Sequence, residues 1–219
     1  MKITVNGISL FYKKTGQGKP ILLLHGNGEE HSIFDVLTRQ LSASYTVYAL
    51  DSRDHGKSDR VDVLNYSDMM QDTAAFIRAL GIKPILYGFS DGGIIGLLLA
   101  IKYPELLDRL IISGANLSPQ GIKKKELWLM RLGYFFTRSR KLKLMLTQPD
   151  IKVSDLNKIT TPTVVLAGSD EFCTDEHTRL IAKSIPNSVL NILEGESHSS
   201  YVVNSDKLYG VIKPYLGDS

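Results

Sequence analysis

The chain has 219 residues, the length of one domain with room for an insertion, and its 43% hydrophobic and 22% charged residues exclude intrinsic disorder and fibrous repeats. Its 26 Lys plus Arg against 23 Asp plus Glu leave a formal +3, too little to call for a nucleic-acid or membrane partner. The single Cys173 cannot form an internal disulfide, and a chain of this size needs neither disulfides nor a structural metal to hold a core.

The opening residues, Met1-Lys2-Ile3-Thr4-Val5-Asn6-Gly7, contain no apolar leader core, and the longest strongly apolar stretch, 94–101, falls far short of the ~18 residues that span a bilayer. The expectation is a cytoplasmic protein. Residues 3–12 alternate about Asn6-Gly7 and read as an antiparallel edge hairpin. Short apolar or β-branched runs then recur at 21–24, 46–50, 84–87, 110–112, 163–167 and 189–193. Their nearly continuous hydrophobicity is that of parallel strands covered by helices on both faces. Residues 67–80 place Met69, Thr73, Phe76, Ile77 and Leu80 on one stripe, with Gly81 as C-cap. Residues 92–102 are almost wholly apolar and read as a buried helix ending before Pro104, and 176–185 and 205–216 complete the predicted helices. Strand–helix alternation gives an α/β fold with a mostly parallel central sheet. Over 116–158 the rhythm breaks into Trp128, Leu129, Met130, Leu132, Tyr134, Phe135 and Phe136, then Leu142, Leu144, Met145 and Leu146. This predicts one domain, 1–219, carrying 116–158 as an inserted helical cap.

Gly88-Phe89-Ser90-Asp91-Gly92 fits the nucleophile pattern G-x-S-x-G, and its context fits too: a strand runs into it and an apolar helix leaves it. Such a turn lifts the serine above the carboxyl edge of a parallel sheet, leaves no room for side chains at Gly88 and Gly92, and points helix N–H groups at a developing oxyanion. The phosphate-loop pattern is absent. His25-Gly26-Asn27-Gly28 follows the strand at 21–24, where a glycine loop can aim a second amide into the same crevice. The Asn27 and Asp91 amides are therefore the candidate oxyanion donors, with His25 as a half-buried imidazole that fixes the loop. Asp51-Ser52-Arg53-Asp54-His55-Gly56-Lys57-Ser58 ends the strand at 46–50 and reads as a structural turn tied down by Arg53, since no metal-ligand spacing is completed nearby.

Together, HGNG, DSRDHGKS, GFSDGG, Gly168-Ser169-Asp170-Glu171 and Gly195-Glu196-Ser197-His198 resemble the α/β-hydrolase superfamily over essentially the whole chain. Within it, the chain most resembles small serine esterases and peptidase-like hydrolases with a short cap. The resemblance implies a nucleophile, acid, histidine order, with Ser90 as nucleophile and His198 as base. It also implies an acid three residues after a glycine. Register from Gly168 favours Glu171, and residue type favours Asp170. His177, among Asp175, Glu176, Thr178 and Arg179, is expected to be solvated.

Residues 121–147 hold eight Lys or Arg against Glu126, a formal +7 that leaves −4 on the rest of the chain. The default reading is a solvated face on cap helices. A sharper one is attraction to anionic substrates or to an anionic membrane surface without stable insertion. The cap's apolar face is expected to line an acyl pocket. Trp128, Leu129, Leu132, Phe135 and Phe136 are positioned to contact substrate, with Trp128, Leu132 and Phe135 as the candidate contacts, while at helical spacing most of the five are expected to pack on the core.

These residues predict a serine hydrolase that cleaves a small carboxylic ester through an acyl-enzyme, without metal or organic cofactor and with no nucleic-acid partner. Aminopeptidase, lactonase, carbon–carbon hydrolase and acyltransferase chemistries share the serine. Dehalogenase and epoxide-hydrolase relatives use aspartate at that position, against which Ser90 speaks. A rival of another class is a small-molecule sensor with slow hydrolysis and a signalling partner. Oligomeric state is left open.

Overall fold

The structure, a computed structural model, describes residues 1–217; Asp218 and Ser219, the end of the expected domain, lie outside the described residues. Eight strands form one sheet: β1 (Lys2–Val5), β2 (Ile8–Thr15), β3 (Lys19–Leu24), β4 (Tyr45–Leu50), β5 (Ile85–Phe89), β6 (Arg109–Ser113), β7 (Thr163–Asp170) and β8 (Ser188–Ser197). Their order is β1-β2-β4-β3-β5-β6-β7-β8. The first two strands pair antiparallel about Asn6-Gly7, β2 joins β4 antiparallel, and every later pairing is parallel.

Helices α1 (Asp35–Leu41), α2 (Tyr66–Leu80), α3 (Asp91–Lys102), α7 (Asp175–Ser184) and α8 (Lys207–Ile212) connect or follow the strands, and α4 (Lys124–Thr137), α5 (Arg140–Thr147) and α6 (Val153–Leu156) lie between β6 and β7. The period of two along β3 sorts its side chains between two cores. Leu22 and Leu24 join Phe76, Ile77, Ile95 and Leu99 on the α2–α3 side, whereas Ile21 and Leu23 join Phe34, Leu37, Leu208 and Ile212 on the α1–α8 side. Both faces are thus covered, as the continuous apolar runs require.

Two elements depart from the sequence expectation. Helix α1, with Leu37 and Leu41 buried, continues from a 3₁₀ turn at His31–Phe34 and is too short to display a full stripe. The helix expected over 205–216 is regular only from Lys207 to Ile212, then tightens into a 3₁₀ turn over Lys213–Tyr215. Pro214, which has no N–H, cannot continue an α-helical ladder. Strand β3 lies between β4 and β5, so the sheet's order reverses there. A crevice opens beyond the carboxyl ends of strands at such a point, and the loops after β3 and β5 carry the HGNG and GFSDG segments.

Candidate active site

Ser90 sits between β5 and α3 with φ 52° and ψ −111°, a region that costs a non-glycine residue about 1–3 kcal/mol and persists only where the surroundings enforce it. Here the Ser90 N–H donates to the Ser113 carbonyl at 2.8 Å, and the Gly92 N–H donates to the His25 carbonyl at 3.1 Å. A Cβ at Gly88 would strike the Gly92 carbonyl, and one at Gly92 would strike the Leu24 carbonyl. The bend therefore closes only with glycine at both places.

His198 follows β8, its ring 4.8 Å from that of Phe89 and 5.3 Å from that of Phe172. Its Nδ1 is hydrogen-bonded to Glu171 Oε1. The buried Glu171 carboxylate is itself held by the Phe172 N–H at 2.7 Å and the Gly168 N–H at 3.4 Å. An acceptor at Nδ1 favours the tautomer whose Nε2 carries the lone pair. Of the two candidate acids, Glu171 reaches the imidazole. Asp170 faces outward, 86% exposed, and pairs with Lys123 at 3.2 Å. The register between β7 and β8 shifts between Gly168 and Asp170, and an irregularity of this kind re-aims the side chains beside it. Gly114, at the end of β6 with φ 63°, vacates the volume that the imidazole fills; a Cβ there would meet the ring.

Ser90 and His198 line one crevice of about 250 Å³, together with Gly26, Asn27, Glu29, Phe89, Met145, Phe172 and Ser199. Among the described residues the Ser90 hydroxyl makes no hydrogen bond to the imidazole, and such contacts commonly tighten only around substrate. Asn27 and Asp91 are braced side chain to side chain. Asn27 Nδ2 donates to Asp91 Oδ2 at 2.9 Å and to the Lys141 carbonyl of α5 at 3.4 Å, and the Tyr66 hydroxyl donates to Asp91 Oδ1 at 2.7 Å. Burial pushes the Asp91 carboxyl up to about 6, against those donors. As the first residue of α3, Asp91 offers an amide without an intrahelical partner at the positive end of the helix dipole.

The loop behind this crevice is fixed as the sequence suggested, though more deeply buried. The His25 Nδ1–H donates to the Gly26 carbonyl at 2.8 Å, and Nε2 accepts from the Ser52 N–H at 3.1 Å. Burial pushes the imidazole down to about 4. His55, with its ring 5.1 Å away, is pushed down to about 4 by the same cause. Arg53 does tie its turn down, by two bonds to Asp72 at 2.6 and 2.8 Å and one to Asp68 at 2.9 Å, all on α2. Glu30, His31 and Asp51 bring one ligand-type atom each within 4.8 Å of one another. Asp51, however, already accepts from the His31 N–H and ring at Oδ1 and from the Lys57 N–H at Oδ2, so its carboxylate works as a loop anchor.

Sequence reasoning did not assign Glu29, Met145, Phe172 or Ser199 to the crevice. Glu29 accepts from the Gly26 N–H at 2.9 Å, and burial raises its carboxyl while the Gly26 bond and His198 lower it. The three-residue spacing from Gly26 to Glu29 was the available signal. Met145 and Phe172 arrive from α5 and the β7–α7 loop through tertiary packing alone. Two expectations need correction. His177 is not solvated: its Nε2 accepts from the Leu117 N–H at 2.9 Å, tying α7 to the chain beyond β6, and burial lowers its pKa. Trp128, Leu132 and Phe135 do not line the crevice, and with Leu129 and Phe136 they do not pack on the core either; all five are exposed, because α4 turns only Met130 fully inward. The segment's contribution to the crevice is Met145 of α5.

The profile of the alpha/beta hydrolase fold matches residues 19–143. The chain belongs to that family, and its coarse class is a hydrolase of the α/β fold. It is 28% identical to the human serine hydrolase BPHL, over 98% of this chain and 85% of that protein. Among solved structures it is similar to an esterase from Exiguobacterium antarcticum, at TM-score 0.85 and 21% identity over 98% of this chain and 97% of the other. It is also similar to the enol-lactonase from Burkholderia xenovorans, at TM-score 0.81 and 18% identity over all of both chains. At those identities the structural likenesses speak to the fold. No described helix is long and apolar enough to cross a membrane.

Proposed function

We propose that the chain is a serine hydrolase that cleaves a small carboxylic ester through an acyl-enzyme on Ser90. The observation that carries this reading is one crevice holding a serine on a strained bend and an imidazole whose Nδ1 is engaged by a buried carboxylate. In this mechanism Ser90 Oγ attacks the ester carbonyl carbon and His198 Nε2 takes the hydroxyl proton. Glu171 holds the Nδ1–H and stabilises the imidazolium. The carbonyl π electrons move onto oxygen, where the Asn27 and Asp91 backbone N–H groups meet the charge, each worth about 2.7–4 kcal/mol of barrier. Collapse breaks the bond to the leaving alkoxide, which receives the proton from Nε2. Water then repeats the sequence on the acyl-enzyme, releasing the acid and restoring Ser90.

The residues between β6 and β7 act in this reading as a cap that contributes Met145 to the crevice wall. A volume of about 250 Å³ lies below the ~300–1,000 Å³ of drug-sized pockets, which supports a short acyl group. The Glu29 carboxylate disfavours an anionic one. The names of the esterase and lactonase relatives support cleavage at an acyl–oxygen bond. Rapid mixing with a series of p-nitrophenyl esters tests the reading. It predicts a burst of one equivalent of p-nitrophenol followed by slower turnover, with rates falling as the acyl chain lengthens. Neither burst nor turnover, with only a ligand-dependent spectral change, would favour a sensor.

A further inference from the structure

Helix α4 is apolar on the wrong side for a core element. Trp128, Leu129, Leu132, Phe135 and Phe136 are 60%, 45%, 41%, 63% and 73% exposed. Their spacing, i, i+1, i+4, i+7 and i+8, gathers them within roughly 120° of arc at 3.6 residues per turn. The inward side is carried by buried Met130 with half-buried Leu127 and Tyr134. The five exposed side chains thus form a continuous outward stripe, with the Phe135 and Phe136 rings edge to face at 5.3 Å.

The charges around the stripe say what fits it. Lys123 and Arg140 are consumed by ion pairs to Asp170 and Asp54. Lys124, Lys125, Arg131, Arg138 and Lys143 make no ion pair among the described residues, and Arg138 lies over the Tyr134 and Phe135 rings at 5.7 and 5.6 Å. Lys125 falls within the apolar arc, and Lys124 and Arg131 border it. A segment of formal +7 with a single acid, Glu126, would oppose like charge if two copies met through this face. The combination of bulky aromatics and basic residues on one exposed helix instead matches the interface of an anionic bilayer, where rings settle at headgroup depth and Lys and Arg meet lipid phosphates. With 14 residues, α4 is too short to span a bilayer and would lie in its plane.

We propose that the outward stripe of α4 docks the protein peripherally on anionic lipid surfaces. The Met145-bearing α5 packs against α4, with Leu142 under Gly133, so docking would hold the crevice beside the lipid surface. The proposal does not depend on the esterase reading, because its readout needs no turnover. Trp128 is the only tryptophan in the chain, so its emission reports this face alone.

The test adds vesicles of phosphatidylcholine, with or without phosphatidylglycerol, to the full chain. At about 0.1 M salt the anionic vesicles should shift Trp128 emission to the blue and expose it to a lipid-borne quencher; omitting phosphatidylglycerol, or raising the salt to about 0.5 M, should weaken binding at least about tenfold. The triple variant Lys124→Glu/Lys125→Glu/Arg131→Glu should lose binding by about tenfold or more while keeping the wild-type circular dichroism spectrum and melting temperature, which shows that it folds. Phe136→Ser should weaken binding further than it alters melting. Unchanged emission with anionic vesicles, or binding untouched by the charge reversals, would overturn the proposal. So would a blue shift that grows with protein concentration, without lipid, alongside a dimer mass.

Discussion

Helices α3 and α4 are both rich in apolar residues and differ in what covers them. Of the 12 residues of α3, nine are buried, whereas of the 14 residues of α4 only Met130 is. Gly92, Gly93 and Gly96 let α3 settle against the sheet, so its aliphatic side chains interlock with Leu86, Leu110 and Ile112. Helix α4 carries its largest side chains on the side away from its one packed contact and surrounds them with lysine and arginine. Apolar content states that a helix seeks cover. The size of its neighbours and the charges on the same face determine whether that cover is the chain's own core. The two regions also differ in precision: the loops around Ser90 are held by backbone and side-chain hydrogen bonds involving Ser113, His25, Gly26, Tyr66 and Glu171, while the outer face of α4 is directed by little.

If that contrast holds, changes near Ser90 should be costly and changes on α4 cheap. The largest expected effect short of removing the nucleophile is Glu171→Gln, which leaves the imidazole in the wrong tautomer and should lower kcat by about 10³–10⁴-fold. Asp170→Asn, at an exposed carboxylate, should leave steady-state kinetics unchanged, and the reverse pattern would break the assignment. Acid should act on the same region through stability. His25 and His55 are pushed down to about 4 from 6.5, so the unfolded chain binds more protons between those values. Their contribution is full above pH 6.5 and is lost as pH falls toward 4, about 3 kcal/mol for each. Asp91, raised from 3.8 to about 6, acts oppositely, since its folded form holds the proton longer, and the raised Glu29 adds to that offset. The net loss between pH 6.5 and 4 should be at most about 3 kcal/mol, and denaturant midpoints across that window would show it. A flat profile would contradict the buried, neutral imidazoles.

Gly114→Ala places a methyl group against the His198 ring and should reduce kcat/KM by about 100-fold, with circular dichroism confirming a folded chain; unchanged turnover would mean that the imidazole works from elsewhere. Phe136→Ser on α4 should shift folding stability by no more than about 0.5 kcal/mol, measured by chemical denaturation. A loss of several times that would show that the stripe is packed in solution and would erase the contrast.

The sheet was legible because parallel strands buried on both faces must be apolar almost throughout, as in Ile21-Leu22-Leu23-Leu24 and Ile85-Leu86-Tyr87. The bend at Ser90 was legible because few side chains tolerate its geometry. The choice between Asp170 and Glu171 was only half legible: counting from Gly168 pointed to Glu171, but the shift in the β7–β8 register that turns Asp170 outward leaves no trace in composition. Met145 and Phe172 reach the crevice through contacts between distant elements, which periodicity along one element cannot express, whereas Glu29 left a local trace in its three-residue spacing from Gly26. The outward stripe of α4 has the same spacing as a core stripe, so the pattern identified the helix and not the side that it hides.

Covalent trapping tests the central claim most directly. Incubation with a fluorophosphonate, followed by peptide mass analysis, should find one adduct on Ser90, formed much more slowly in His198→Ala and absent in Ser90→Ala. Full labelling of Ser90→Ala, or no adduct on a folded wild-type chain, would contradict a nucleophile at this bend.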